Sequence, residues 1–365
     1  MASSTAPLDL SKYTSTFTTP NNLTYTYIHI PPTNHNGPPK TPILLLHGWP
    51  SLPTDFTSLL THLHHLNHPI IAPYLLGYAP TSTPRNPTLY RLKPMAADLT
   101  SLIAHLNIRT LLHGIGHDWG ATLLSRTEYY HPHLFKSLSY LTIGPAPFGQ
   151  PFGLDMVNTM TKNQLGYEAV AYQKFIMDDP DRAARLMEEN HERMDGLMFA
   201  ADAGTLWKDY VCSIGGVEKW LTSNGEGVPE LKDVKLADGV TDDILRRRKE
   251  TFAAAGKPYE SNNRTDCGKG YRASLNWYVS FNRNLNVDDE RAERQDWETY
   301  KTEKDVLLVM CDRDPIALPA MMIPMIEGYV KDRKQLRVEH VDASHFLMLE
   351  KGQKVNELLK SFFRE

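Results

Sequence analysis

The sequence predicts an α/β protein: a mostly parallel sheet flanked by helices, interrupted by a long helical insertion. Three observations carry that expectation. Short apolar runs alternate with helical stretches over residues 41–147 and again after residue 305, and each parallel pairing of strands needs a crossover, usually a helix. Strand patterning stops between residues 148 and 300. No internal repeat is evident, so an insertion is the simplest account. The chain therefore divides into a first core segment (1–147), a helical cap (148–300) and a second core segment (301–365). At 365 residues it is long enough to bury a sizeable core.

Each element has a local cause. Residues 13–30 are rich in Thr and Tyr and broken by Pro20-Asn21-Asn22, which predicts two antiparallel strands joined by a turn. Residues 31–40 are loop. "TPILLLHG" (41–48) is a continuous apolar run ending in Gly, the pattern of a strand buried on both faces. A helix over about 53–66, a strand over 69–78, a helix over about 95–106 and the strand "TLLHGIG" (110–116) follow. The next strand lies in "SLSYLTIGPAP" (137–147). In the insertion, residues 222–270 hold most of the Gly, Asn and charge and are expected to form its longest exposed loops. Strands over 305–314 and 335–345 flank a helical stretch, and a final helix covers about 352–363.

Composition excludes several classes. Apolar content of 41%, charged content of 22% and a net charge of −4 give no reason to expect nucleic acid or an anionic membrane as partner. Cys212, Cys267 and Cys311 are far apart, which argues against a disulfide framework or a zinc ribbon. The N-terminus lacks an apolar signal region, no apolar run reaches the ~20 residues of a membrane span, and "FFRE" is not a peroxisomal signal. A cytoplasmic location is the expectation. Sequons at Asn22–Thr24 and Asn263–Thr265 would matter only in a secreted chain. The basic run Arg246–Lys249, answered by Asp242, Asp243 and Glu250, reads as the wet face of a helix. The run "HLHHLNH" (62–68) reads as a solvated helix face rather than a metal site. Met321, Met322 and Met325 are expected in the core or a pocket wall.

Chemistry-bearing residues sit where strands end, the ligand-binding side of open α/β sheets. In "GIGHDWGA" (114–121), Gly116 and Gly120 flank Asp118 at the spacing of a strand-to-helix nucleophile elbow. Asp314 follows the strand at 305–311 and His345 follows the last strand, giving the chain order nucleophile, acid, His. Asp312 competes with Asp314, which is preferred because it lies further into the loop and Asp-Pro fixes a turn there. A carboxylate at the elbow attacks an sp³ carbon and becomes an alkyl ester of the enzyme, cleaved by water at its own carbonyl. The backbone N–H groups of Trp49 and Trp119 are the expected oxyanion donors. Trp49-Pro50 is a candidate cis peptide.

Taken together, "HGWP" (47–50), "GHDWGA" (116–121), "LNWY" (275–278), "DRDP" (312–315) and "SHF" (344–346) resemble the epoxide hydrolases of the α/β-hydrolase superfamily, the fungal type most closely. The resemblance runs from about Lys12 to Phe363. It implies the α/β-hydrolase fold with a cap, Asp118 as nucleophile, and His345 with Asp314 activating water. It also implies two cap tyrosines on the epoxide oxygen: Tyr278, and Tyr172 in preference to Tyr167. His47, Pro50, Trp277 and Phe346 are assigned to the substrate pocket, and His117 to a structural role. Tyr74, Ala79 and His113 depart from the family pattern at the pocket rim. No cofactor or metal is implied; the partners are a small epoxide and water, with a homodimer left open. A haloalkane or haloacid dehalogenase uses the same triad but usually has Asn where Trp49 stands, and an epoxide-opening cyclase is a further alternative.

Overall fold

The computed structural model describes residues 7–33, 37–223, 227–254 and 270–363; Cys267 and the sequon Asn263–Thr265 lie outside them. Eight strands form one sheet: β1 (Thr14–Thr18), β2 (Thr24–Ile30), β3 (Ile43–Leu46), β4 (Ile70–Pro73), β5 (Leu112–His117), β6 (Phe135–Leu141), β7 (Asp305–Cys311) and β8 (Leu336–Val341). Their order is β1-β2-β4-β3-β5-β6-β7-β8. The pairs β1·β2 and β2·β4 are antiparallel and the others parallel. Every residue of β3 and β5 is buried, as a strand covered by helices on both faces requires.

Three helices precede the insertion: α1 (Thr57–His65), α2 (Leu92–His105) and α3 (Trp119–Tyr130). Between β6 and β7 the described residues contain no strand of the sheet but nine α-helices: α4 (Leu154–Leu165), α5 (Ala171–Asp178), α6 (Pro180–Glu189), α7 (His191–Met198), α8 (Ala203–Tyr210), α9 (Gly216–Thr222), α10 (Asp242–Ala254), α11 (Asn276–Asn282) and α12 (Val287–Glu293). The start of α6 shows the local logic. Pro180 fills the first helical position, and the Asp179 carboxylate accepts from the Asp181 and Arg182 N–H groups, which have no intrahelical partner of their own. After β7 come α13 (Pro319–Tyr329), α14 (Leu347–Glu350) and α15 (Gly352–Phe363).

Several expectations are corrected. The strand expected over 69–78 stops at Pro73: the Tyr74 N–H still reaches the Thr26 carbonyl of β2, but that of Leu75 turns away to the His47 ring. His68 is buried rather than solvated, with Nδ1 donating to the Thr41 carbonyl at 2.8 Å, because α1 ends at His65. Arg248, expected on a wet face, is fully buried against Asp195; Arg246 and Arg247 do pair at the surface with Asp243. Met321, Met322 and Met325 are only half-buried. Part of the 222–270 stretch expected as loop is α10.

The insertion leaves and rejoins the core around one buried ion pair. Arg126 of α3 donates to the Glu290 carboxylate of α12 at 2.9 Å and to the carbonyls of Ala146 and Pro147 at 2.7 and 3.0 Å. Glu290 also accepts from the Gly149 N–H. Removing one partner of such a pair strands the other charge, so Arg126→Met should lower unfolding free energy by about 3–5 kcal/mol. Urea denaturation measures it; a loss no larger than that of a surface Arg→Met control would overturn the assignment.

Candidate active site

β5 ends at His117 and α3 begins at Trp119, leaving Asp118 as the whole connection. It is bent to φ 51°, ψ −124°, a region that costs a non-glycine residue roughly 1–3 kcal/mol. Glycines give it room. A Cβ on Gly120 would lie 2.1 Å from the Leu46 carbonyl oxygen, and one on Gly48 would lie 2.4 Å from the Asp118 Cβ. The end of β3 is thereby pressed against the elbow, and Trp49 N–H donates to Asp118 Oδ1 at 2.7 Å. The other end of that planar peptide unit, the Gly48 carbonyl, accepts from His47 Nδ1 at 2.9 Å and Tyr78 Oη at 3.3 Å. Trp119 opens α3, where the first N–H groups lack intrahelical acceptors. The Trp49-Pro50 and Ala79-Pro80 peptide bonds are cis.

His345, on the loop after β8, has Nδ1 2.6 Å from Asp314 Oδ2 and Nε2 3.5 Å from Asp118 Oδ2. Asp314 is fixed in turn, its Oδ1 accepting the N–H groups of Ile316 and Ala317 at 2.9 and 3.1 Å. The His345 carbonyl accepts from Thr142 Oγ1 and from His117 Nε2. Asp312 points away, pairing with His340 at the surface. Burial opposes charge on His345, but Asp314 and Asp118 together push its pKa up to about 10. For Asp118, burial is likewise outweighed, by the hydrogen bond and charge of His345, and the carboxyl lies below its usual range. For His47 and His117 burial outweighs the nearby Asp118 charge and brings both down to about 4.

Above these groups lies a narrow cavity. Its polar lining is Asp118, His345, Trp49, Tyr172 and Tyr278; the remainder is apolar, including Met187, Met194 and Met198. Tyr172 (α5) and Tyr278 (α11) meet edge to face at 5.6 Å. Burial and the neighbouring Asp118 charge raise both phenols above their ordinary range, Tyr172's neighbouring phenol adding to the effect on Tyr278. Gln173 Nε2 donates to the Tyr172 hydroxyl oxygen at 3.3 Å. Tyr167 instead donates to the Pro315 carbonyl.

The four residues expected in the pocket stand behind its wall. The ring nitrogens of His47 are engaged by Gly48 and Leu75, the Pro50 carbonyl by Arg248, and Trp277 Nε1 by the Leu76 carbonyl. Phe346 packs on Phe199 and Trp207. Sequence reasoning missed the methionines: Met194 and Met198 share one face of α7 at a spacing of four, but Met187 belongs to the separate helix α6. It also missed Trp207, 5.3 Å from the His345 ring. Of the rim departures, Tyr74 is half-buried with its pKa pushed up to about 12, mainly by burial, and His113 lies against Ser137 and Phe363. Among the described residues no group of three or more His, Cys, Asp or Glu is gathered to hold a metal ion, and no helix is long and apolar enough to cross a membrane.

A model of the α/β hydrolase fold matches residues 41–352. The chain is 28% identical to an epoxide hydrolase of Neurospora crassa, over 94% of this chain and 93% of that one. It is 22% identical to bifunctional epoxide hydrolase 2 of Rattus norvegicus, over 93% of this chain but 55% of the rat protein, so it spans about half that relative's length. Among solved structures, epoxide hydrolase A of Mycobacterium thermoresistibile superposes with a TM-score of 0.64 at 20% identity, covering 96% of this chain and 98% of that one. An epoxide hydrolase mutant of Vigna radiata gives 0.66 at 19% identity, covering 97% and 99%.

His345 binds its proton more tightly in the folded chain than in the unfolded one, where imidazole titrates near 6.5. Its contribution to stability is complete below about pH 6.5 and is lost as pH rises through about 10. Denaturation series across that window should show the unfolding free energy of the parent falling more steeply than that of His345→Gln. Parallel slopes would contradict the raised pKa.

Proposed function

Since the chain belongs to the α/β-hydrolase fold family, we propose that it is an epoxide hydrolase working through a covalent ester on Asp118. The observation that carries this reading is a carboxylate at the elbow that shares one cavity with two phenols and a histidine. The names of its relatives support it. Asp118 Oδ1 already accepts the Trp49 N–H, so Oδ2 is the oxygen that attacks an epoxide carbon. As the C–O bond breaks, Tyr172 and Tyr278 donate to the departing oxygen, which as a free alkoxide would be too basic to form. The helical segment 148–300 acts as the cap that supplies them.

Ester formation neutralises Asp118 and removes one of the two carboxylates that raise the His345 pKa. His345 then gives up its proton, replacing the one the phenols pass to the opened epoxide oxygen, and the neutral imidazole, oriented by Asp314, takes a proton from water. Water attacks the Asp118 carbonyl carbon, and the negative charge of the tetrahedral intermediate gathers on Oδ1 before the N–H groups of Trp49 and Trp119. Collapse releases a vicinal diol and restores the carboxylate. A halide leaving group would need no proton donor, so the phenols favour epoxide over a dehalogenase reading.

Asp118→Asn should abolish turnover with the fold retained, apart from slow recovery by deamidation; full activity from the first minute would sink the covalent mechanism. In His345→Gln the first half-reaction should proceed and the ester accumulate, read by intact mass spectrometry as a gain equal to the mass of the epoxide. No such adduct with a substrate shown to bind would count against the assignment.

Tyr172→Phe and Tyr278→Phe should each slow alkylation by ~10²-fold or more and affect ester hydrolysis less. Alkylation by an alkyl bromide, measured in the same stopped-flow format, should persist in the double variant. Equal losses for both electrophiles would reduce the tyrosines to pocket walls.

A further inference from the structure

Arg248 is the cation that the proposed chemistry leaves unused. Its side chain is 0% exposed, which is rare for an arginine, and it comes from α10 in the inserted segment. Nε and Nη2 donate to Asp195 Oδ1 at 3.0 and 2.8 Å, and the guanidinium carbon lies 4.3 Å from the centre of the Phe199 ring. The remaining arm, Nη1, reaches across to the core and donates to the Pro50 carbonyl.

Pro50 directly follows the residue whose N–H meets Asp118. The Trp49-Pro50 unit is held at four points: the Gly48 carbonyl by His47 and Tyr78, the Trp49 indole Nε1 by Ser274 Oγ at 3.2 Å, the Trp49 N–H by Asp118, and the Pro50 carbonyl by Arg248. Two of these holds, Ser274 and Arg248, come from the inserted segment. Asp195 lies on α7 between Met194 and Met198, which face the cavity. One guanidinium thus joins the methionine wall to the backbone beside the nucleophile.

We infer that Arg248 is a positioning residue that keeps the Trp49 N–H aimed at the nucleophile carboxylate by holding the Pro50 carbonyl. Without it that carbonyl is a buried acceptor lacking its donor, a cost that the segment relieves by moving. The kinetic consequence rests on the ester mechanism proposed above. During alkylation negative charge leaves the carboxylate, so a donor on Oδ1 matters little. During ester hydrolysis charge gathers on Oδ1, so a misaimed donor costs rate there.

The test uses Arg248→Met/Asp195→Leu, which removes both members of the ion pair; the buried Asp55 carboxyl, which also feels the guanidinium, holds its proton more readily in the variant. Alkylation of Asp118, followed before steady state, should stay within about threefold of the parent, while ester hydrolysis slows by ~10- to 10²-fold, so that alkylated enzyme accumulates. A second readout is independent of catalysis. With ¹⁵N-labelled tryptophan, the Trp49 amide proton, at low field from its bond to a carboxylate, should move upfield in the double variant. A folded double variant with unchanged hydrolysis and an unmoved Trp49 amide overturns the inference, as does an equal slowing of both half-reactions with that amide unmoved. If the parent forms no adduct on Asp118, the ester mechanism fails, and the amide shift alone decides whether Arg248 positions Trp49.

Discussion

The backbone of Asp118 is the constraint on which the site depends. An aspartate at φ 51°, ψ −124° persists only where its surroundings over-determine it. Here they do: β5 lies between β3 and β6 with all six of its residues buried, and α3 starts without a single spacer residue. The close approach of Leu46 to Gly120 and of Gly48 to Asp118 makes the elbow and the Trp49 loop one rigid object. The position of the carboxylate is therefore set by sheet packing, and the aim of its Trp49 N–H donor depends in addition on the Arg248 hold on the Pro50 carbonyl.

Where burial and periodicity coincide, the sequence was readable. β3 and β7 are continuous apolar runs because helices cover both faces, and Asp118, Asp314 and His345 stand out as polar residues just past strand ends. α15 falls at the expected residues. The overextended strand at 69–78 shows the limit of this signal. Leu75, Leu76 and Tyr78 are buried but belong to a loop, and apolar character reports removal from water without reporting backbone shape. His68 misleads in the opposite direction, since its polarity suggests solvent while a carbonyl within the fold satisfies its ring.

The inserted segment was far less legible. Arg248 sits in a run of four basic residues that reads as one charged face, although its neighbours one turn away are Ile244, Leu245, Thr251 and Phe252, while Arg246 and Arg247 have Asp243 and Glu250 within a turn. Its partner lies 53 positions earlier on another helix. The placement of the expected pocket residues outside the cavity lining has a related reason. His47, Pro50, Trp277 and Phe346 are chain neighbours of residues that face the cavity, and adjacent side chains leave a loop or helix in different directions. The methionine wall comes from the packing of α6 and α7 against the core, which the chain order does not encode.

The one-sided polarity of the cavity has a consequence for what happens after the chemistry. Under the proposed reaction the reactant brings a single weak acceptor into the chamber, and the product carries two hydroxyls, each both donor and acceptor. Both hydroxyls arise at the catalytic end, where Asp118, His345 and the two phenols can bond them, while beyond it the walls are methionine, isoleucine, valine and aromatic carbon. An unbonded hydroxyl turned toward those walls is disfavoured by about 1–3 kcal/mol relative to water. The product therefore keeps the orientation of the reactant, its oxygens at one end of the cavity and its carbon substituents at the other.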